Sequence, residues 1–246
     1  MIIKSFIKEK KGMYKLVFDN NELVVHEDLI LKYSLLNKKE LNIETIKKLS
    51  EENQKYEIYN MALNYINKRL RSKQEIDKYL ETKNINLALK EEILNILTKQ
   101  NYLNDAIYIK AFINDQINMT KNGPLKVRKD LIAKGISEEL IDENMFIFTN
   151  SLINKRIEQI IEKKRNTNKN KGAYFLKQKI LLDLINMGYL KEDVLTILNK
   201  MVFKDNLDIY QKEYAKLYKT LSKKYSGIEL DYQIKQRLYQ KGFRQN

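Results

Sequence analysis

The sequence of 246 residues has no cysteine, no tryptophan, one histidine, one proline and seven glycines. Without cysteine, the chain cannot form disulfides, thiolate metal sites, cysteine nucleophiles or iron–sulfur clusters. His26 has no second imidazole with which to share a metal ion. The glycines are too far apart for a G-x-G-x-x-G or a G-x-x-x-x-G-K-[ST] loop. These absences predict a protein with no catalytic residues, no metal and no cofactor.

Long apolar runs are also missing from the sequence. No segment reaches the roughly 20 apolar residues that a membrane-spanning helix needs. Charged residues at positions 4, 8, 9, 10 and 11 interrupt the apolar stretch that a secretory signal requires. With 43 % hydrophobic and 32 % charged residues, the composition is that of a globular protein. We therefore expect a cytoplasmic protein.

The charge is basic and unevenly distributed. Lysine and arginine number 46 against 32 acidic residues, a net charge of +14. Residues 1–60 have a net charge of +1 and residues 61–150 of +2, whereas residues 151–246 hold 21 basic against 10 acidic side chains, a net charge of +11. Such asymmetry favours contact with a polyanion, namely nucleic acid, an anionic membrane surface or an acidic protein face. The alternative is a lysine-rich surface that is merely solvated.

The first thirty residues have the pattern of a small sheet. Apolar and other residues alternate from Tyr14 to Phe18, polar residues follow at 19–21, and apolar residues resume at 23–25. This pattern predicts a β-hairpin, to which residues 2–7 would add a third strand. Strands are expected only before about residue 30.

From about residue 56 the chain repeats itself. In each copy an apolar residue is followed four positions later by Leu, and four positions after that by Gly or Asn with an apolar neighbour. The copies begin at Ile76, Val127, Ile180 and Ile234, and their boundary residues are Asn84, Gly135, Gly188 and Gly242. An amphipathic helix that ends at a left-handed residue has this pattern.

Earlier and later helical patterns complete most copies, giving three helices in about fifty residues. We therefore predict a mainly α fold of tandem three-helix repeats, with helix-turn-helix-like units forming an elongated curved solenoid after a small N-terminal β-hairpin region. The predicted segments are 1–55 for the β-hairpin and its helices, 56–104, 105–150 and 151–203 for three complete repeats, and 204–246 for a partial fourth.

Particular motifs in the first two repeats resemble those of a known family. Residues Arg69–Ile76 read Arg-Leu-Arg-Ser-Lys-Gln-Glu-Ile, which is similar to an Arg-x-Arg-Ser-x-x-Glu-Val/Leu signature. Tyr102–Asp105, Ala111–Ile113, Lys121–Pro124 and Lys134–Ile136 repeat the second block of that family in order and at matching distances. The resemblance is to RecX, the bacterial regulatory protein that acts on the RecA recombinase. The match is good over residues 56–150 and looser elsewhere, where the chain is similar to the long form of low-GC Gram-positive bacteria.

The resemblance implies a non-enzymatic modulator of recombination, DNA repair and the SOS response. Such a protein binds the RecA nucleoprotein filament in its helical groove and suppresses ATP hydrolysis and strand exchange, or promotes filament loss. The implied partners are the RecA filament and single- and double-stranded DNA, bound independently of sequence, with no membrane. We expect a monomer.

The candidate contact residues are basic, and each could instead cap a helix or cover apolar surface with its stem. Charge reversal at Arg128 and Lys129 is expected to weaken filament binding without loss of stability. Most of the DNA affinity is expected in residues 151–246, and residues 1–150 are expected to fold without them. The candidates are Arg69, Arg71, Lys73, Lys126, Arg128, Lys129, Lys134, Lys163, Lys164, Arg165, Lys169, Lys171, Lys223, Lys224, Lys235, Arg237, Lys241 and Arg244.

Two other classes of function remain open on the sequence. The first is a DNA-binding protein that acts through phosphate contacts alone, which a salt titration of binding to naked DNA would test. The second is an enzyme, which loss of activity on a DNA or nucleotide substrate under chelation would reveal.

Overall fold

The structure of the protein, a computed structural model, describes residues 1–168 and 171–244. Within those residues it is mainly helical with a small three-stranded N-terminal sheet, which confirms the predicted mainly α fold class. The chain divides into two compact units, Met1–Tyr108 and Ile109–Asn246. The strands are β1 (Ser5–Lys8), β2 (Met13–Val17) and β3 (Glu22–His26). The helices are α1 (Glu27–Lys32), α2 (Ile43–Ile66), α3 (Lys73–Glu81), α4 (Leu87–Lys99), α5 (Asp105–Met119), α6 (Pro124–Ile132), α7 (Glu138–Asp142), α8 (Asn150–Thr167), α9 (Ala173–Asn186), α10 (Lys191–Lys200), α11 (Leu207–Leu221) and α12 (Gly227–Gln240).

The N-terminal strands form the predicted sheet. Their order is β1-β2-β3, and both pairs are antiparallel. Leu16 lies opposite Phe6 on one side and Leu23 on the other. Leu16 and Val25 are buried in a cluster to which α1 and α2 contribute, so helices cover the apolar face of a sheet that would be marginal alone.

Helix α2 joins this sheet to the first three-helix group. Its first half places Leu49 in the cluster beneath the sheet, and its second half places Ile58 and Ala62 against α3 and α4. The predicted segment boundary between residues 55 and 56 therefore falls inside a continuous helix. No proline or glycine stands near that position to interrupt it.

The boundary residues of the repeat end their helices as predicted. Asn84, Gly135, Gly188 and Gly242 all have positive φ, at 52°, 75°, 89° and 85°. In the last three copies the next residue donates its backbone N–H to a carbonyl five positions earlier and seals the helix end with an apolar side chain. These bonds run from Ile136 to Leu131, Tyr189 to Leu184 and Phe243 to Leu238.

Candidate interaction surface

Two glycine-to-glycine joints connect successive repeats within the unit Ile109–Asn246. At the first, Gly123 donates its N–H to Met187 O at 2.7 Å, and Leu125 donates to Gly188 O at 3.0 Å. A Cβ on Gly123 would lie 2.5 Å from Gly188 O, and one on Gly188 would lie 2.4 Å from the backbone N of Lys126. The start of α6 can therefore pack against the end of α9 only because Gly123 and Gly188 have no side chain.

The second joint repeats this arrangement one unit later. The start of α9 lies on the end of α12, where Tyr174 donates its N–H to Gly242 O at 3.3 Å. A Cβ on Gly172 would lie 2.2 Å from the carbonyl carbon of Gly242. Asp205 completes the joint, because one carboxylate oxygen accepts the N–H of Ala173 at 2.6 Å and the other accepts that of Arg244 at 3.0 Å.

Arg156 of α8 stabilises the first joint and was missed by the sequence analysis. Its side chain is buried, with the residue only 5 % exposed. The guanidinium donates to three backbone carbonyls, Ile117 O at 2.6 Å, Thr120 O at 2.9 Å and Asn122 O at 3.2 Å, and to the hydroxyl of Tyr189 at 3.2 Å. This arginine holds the turn between α5 and α6 against α9.

These joints change the expectation for a fragment of residues 1–150. Gly123 and Leu125 bond to residues of α9, and the carbonyls of the α5–α6 turn bond to Arg156. Removing residues 151–246 would leave these groups without their partners. A fragment that ends at residue 150 therefore cuts through a packed unit, and point substitutions are better suited to testing the basic last third.

In the first repeat, the three candidate basic residues lie in different environments. Arg69 forms an ion pair with Glu75 at 2.7 Å. Arg71 has a side chain only 11 % exposed, and its guanidinium stacks on the ring of Tyr65 at 3.9 Å. Lys73 is exposed at the start of α3. Lys73 is therefore the most accessible of the three to a partner.

Arg128 in α6 faces two acids rather than open solvent. It donates to Glu138 at 2.7 Å and to Asp142 at 3.0 Å. The pKa of Arg128 is raised because Asp142 and Glu138 accept hydrogen bonds from its guanidinium. The same contact lowers the pKa of Asp142. Reversing the charge of Arg128 would bring three carboxylates together, so the expected retention of stability does not follow for this residue.

The other candidates of the second repeat are more accessible. Lys126 forms an ion pair with Asp130 at 3.3 Å across one turn of α6. Lys129 is exposed and has no ion pair among the described residues. The ammonium of Lys134 lies 5.7 Å from the centre of the Phe112 ring. Lys129 is thus the cleanest position in α6 for testing a contact by charge.

In the third repeat, helix α8 continues to Thr167. The Thr167 hydroxyl donates to Lys163 O at 3.0 Å and supports the last turn. Lys163, Lys164 and Arg165 consequently lie in the last turns of this helix. Lys163 is exposed, whereas Lys164 pairs with Asp183 of α9.

Arg165 and Lys171 lie on either side of the α8–α9 connection, and Lys169 lies outside the described residues. Arg165 pairs with Glu162 at 2.9 Å and lies 5.4 Å from the centre of the Phe203 ring. Lys171 lies 5.0 Å from the ring of Phe175. The pKa of Lys171 is lowered by hydrogen bonding to Lys179 and by the burial of its ammonium group.

Most candidates of the fourth repeat are exposed. Lys223, Lys224 and Arg237 are open to solvent. Lys235 forms a 3.5 Å pair with Asp231 one turn earlier. Pairs of this exposed kind contribute little to stability, so these cations are available to a partner.

The last two candidates belong to the second joint. Lys241 pairs with Glu213 at 2.6 Å, and this bond and one from a neighbouring lysine lower the pKa of Glu213. The Arg244 guanidinium lies 3.1 Å from the centre of the Tyr174 ring and 4.8 Å from that of Tyr239. The sequence analysis missed both tyrosines.

Within residues 1–168 and 171–244, no group of three or more His, Asp or Glu side chains is arranged to hold a metal ion. The same described residues contain no helix both long and apolar enough to cross a membrane. What the structure does gather is positive charge and aromatic rings around the start of α9, together with isolated basic residues on α3, α6 and α12.

Known proteins resemble this chain over nearly its whole length. Residues 104–145 match the family model described as RecX, second three-helix domain. "Regulatory protein RecX" of Lactococcus lactis is 30 % identical over 250 residues, which cover 96 % of this chain and 92 % of the relative. The protein of the same name from Streptococcus agalactiae is 29 % identical over 242 residues, covering 96 % and 93 %.

Solved structures agree with these relatives. A crystal structure of regulatory protein RecX covers 82 % of this chain and all of its own, with a TM-score of 0.67 and 23 % identity, and so supports the fold. The crystal structure of RecX from Lactobacillus salivarius covers 59 % of this chain and 95 % of its own, with a TM-score of 0.56 and 25 % identity. From the near-complete alignment with the Lactococcus relative we conclude that the chain belongs to the RecX family of regulatory proteins.

Proposed function

We propose that the protein binds the RecA nucleoprotein filament and inhibits RecA ATP hydrolysis, strand exchange and filament growth. The observation that carries this proposal is the alignment with proteins named regulatory protein RecX over 96 % of the chain. The protein would act in the bacterial cytoplasm as a monomer and without catalysis of its own.

The arrangement of the helices supports a binding role. Two joints of the same design fix successive repeats within the unit Ile109–Asn246, so the basic residues on α8, α9 and α12 are held at set separations. A protein that holds several weakly binding residues at fixed separations binds a repeating partner, such as a filament, more tightly than any single contact would. We keep the division into residues 1–55, 56–104, 105–150, 151–203 and 204–246 as part of this proposal.

Charge supports a second component of binding. Residues 151–246 have a net charge of +11, and several of their cations are exposed. We propose that these residues hold the protein on the DNA of the filament through phosphate contacts. The alternative function, a sequence-independent DNA-binding protein with no effect on RecA, depends on this same charge.

The test is RecA-dependent ATP hydrolysis on single-stranded DNA during titration with the protein. We expect the rate to fall as the protein is added. The Lys129→Glu variant should require a higher concentration for the same inhibition, whereas Lys219→Gln, at an exposed position of α11 outside the candidate set, should match the wild type. An unchanged rate at saturating protein, together with binding to naked DNA, would favour the alternative.

A further inference from the structure

Positive charge and aromatic rings converge around the first turn of α9. The residues concerned, which we call the α9 surface, are Arg165, Lys171, Tyr174, Lys204, Tyr239 and Arg244. We propose that the α9 surface is a binding site for single-stranded DNA, with phosphates held by its cations and unpaired bases stacked on its tyrosines. This inference rests on the proposed function and assigns its DNA contact to particular residues.

One part of the α9 surface is a cavity suited to phosphate. The cavity has a volume of about 310 Å³, and its lining includes three cations and three amide side chains: Arg165, Lys171, Lys204, Asn166, Asn168 and Asn206. Asp205, which stands between two of these residues, uses its carboxylate oxygens to accept two backbone N–H groups. The net charge of the cavity lining is therefore positive, and its cationic donors match the acceptor oxygens of a phosphodiester.

The cations of the cavity are only partly neutralised. Among the described residues, Arg165 forms an ion pair with Glu162 of its own helix. Lys171 and Lys179 lie close enough together that the pKa of Lys171 is lowered. Two ammonium groups in proximity repel one another, and the negative charge of a phosphate beside Lys171 would offset that repulsion.

The other part of the α9 surface is a stack of rings. The guanidinium of Arg244 contacts the rings of both Tyr174 and Tyr239. The two tyrosines are 41 % and 58 % exposed. Because Arg244 stacks on both rings, it restrains them while leaving ring surface open to solvent. Exposed, restrained rings beside a cationic groove are the usual elements of single-strand recognition.

Chain connectivity brings the cavity and the stack together. Ala173 lines the cavity, and Tyr174, the next residue, carries the stack. A phosphate in the cavity would therefore leave an adjacent base within reach of a tyrosine ring. Bases of duplex DNA are already stacked on one another, so the rings favour single strands. The cations alone would equally suit an acidic protein face, whereas cations beside open rings are the combination typical of single-strand binding.

The experiment measures fluorescence anisotropy of a labelled oligothymidylate and of a labelled duplex with the full-length protein, in the absence of RecA. The double variant Tyr174→Leu/Tyr239→Leu should weaken single-strand affinity by at least about fivefold for each ring and change duplex affinity less than twofold. Tyr232→Leu is the matched control, because Tyr232 is an equally exposed tyrosine of α12 outside the stack. The double variant Tyr174→Phe/Tyr239→Phe should retain wild-type affinity, since stacking needs the ring and not the hydroxyl.

The cations are tested by the salt dependence of the same binding. Neutralising two of them, in Arg165→Gln/Lys204→Gln, should reduce the slope of log affinity against log salt by about 1.4 on single strands. Lys219→Gln on α11 is the control and should leave the slope unchanged.

Three results would overturn the proposal. In the first, the leucine double variant binds single strands as well as Tyr232→Leu does. In the second, the phenylalanine double variant binds as poorly as the leucine double variant. In the third, the variants lose binding to DNA-free RecA but keep their single-strand affinity, which would indicate a protein partner. Failure of the proposed function would look different. Wild-type protein would then leave RecA ATP hydrolysis unchanged while the oligothymidylate results held.

Discussion

Replacing Arg156 should strongly destabilise the unit Ile109–Asn246. Arg156→Met keeps much of the apolar stem but removes every donor of the guanidinium. The carbonyl of Ile117 in the last turn of α5, the two carbonyls of the α5–α6 turn and the Tyr189 hydroxyl would each lose a hydrogen bond. A buried acceptor left without a partner costs about 1–3 kcal/mol. The carbonyls are only partly buried and water can reach them, so the low end applies, and the four together give about 4 kcal/mol.

Urea unfolding followed by circular dichroism measures the loss of stability. Arg156→Lys keeps the charge and can reach only some of the acceptors, so it should fall between the wild type and Arg156→Met. Arg237→Met is the matched control, because Arg237 is an exposed arginine, and it should change stability by less than about 0.5 kcal/mol.

A local measurement separates this effect from general destabilisation. Because the chain has two compact units, amide hydrogen exchange should rise first at residues 117–126, around the joint that Arg156 stabilises. If Arg156→Met unfolds within about 1 kcal/mol of the wild type and exchange at 117–126 is unchanged, the buried hydrogen bonds do not stabilise the joint and the reasoning fails.

Gly188→Ala should destabilise the protein more than Gly227→Ala. Both residues have positive φ, which costs about 1–2 kcal/mol for alanine, but only at Gly188 would the new Cβ also meet the backbone of α6. If the two variants lower the melting temperature equally, the close contact at the first joint does not matter for stability. Arg128→Glu should lower the melting temperature, because the new carboxylate would face Glu138 and Asp142. Lys129→Glu should leave the melting temperature unchanged, and calorimetry of the two variants measures the difference. Burial and a neighbouring carboxylate raise the pKa of Tyr108 to about 12, above its ordinary value of 10, so its contribution to stability is complete below pH 10 and is lost as the pH rises toward 12. Between pH 10 and 12 the free energy of unfolding should therefore fall less steeply in Tyr108→Phe than in the wild type, and parallel curves would refute this assignment.

The repeat was predictable because its signals are local in sequence. A glycine such as Gly188 and the apolar Tyr189 after it are adjacent, and their spacing from the preceding helix is fixed by helix geometry. The sheet was predictable for the same reason. The only sequence signal for burial of Arg156 is its spacing, since it lies three residues after Ile153 and four before Ile160 on the apolar face of α8. In a lysine-rich chain, that spacing does not identify a buried arginine.

The α9 surface could not be predicted, because its parts are distant in sequence. Tyr174 and Arg244 come from different repeats and meet only when α9 seats on the end of α12. The acidic partners of the basic residues could not be predicted either, because they too are distant in sequence. Arg128, for example, lies ten or more positions from the acids that it binds, and composition counts its charge without recording that it is neutralised.

The first repeat carries Asn84 where the later repeats carry glycine. At both joints, a Cβ on the glycine at the receiving helix end would lie less than 3 Å from atoms of the incoming helix. The Cβ of Asn84 therefore closes the end of α3 to docking of this kind. Helix α12 leaves its own first turn open, with Ile228 92 % exposed, but the α3 end of a second copy cannot receive it. The Cβ of Asn84 thus opposes head-to-tail addition of a second copy through this kind of joint.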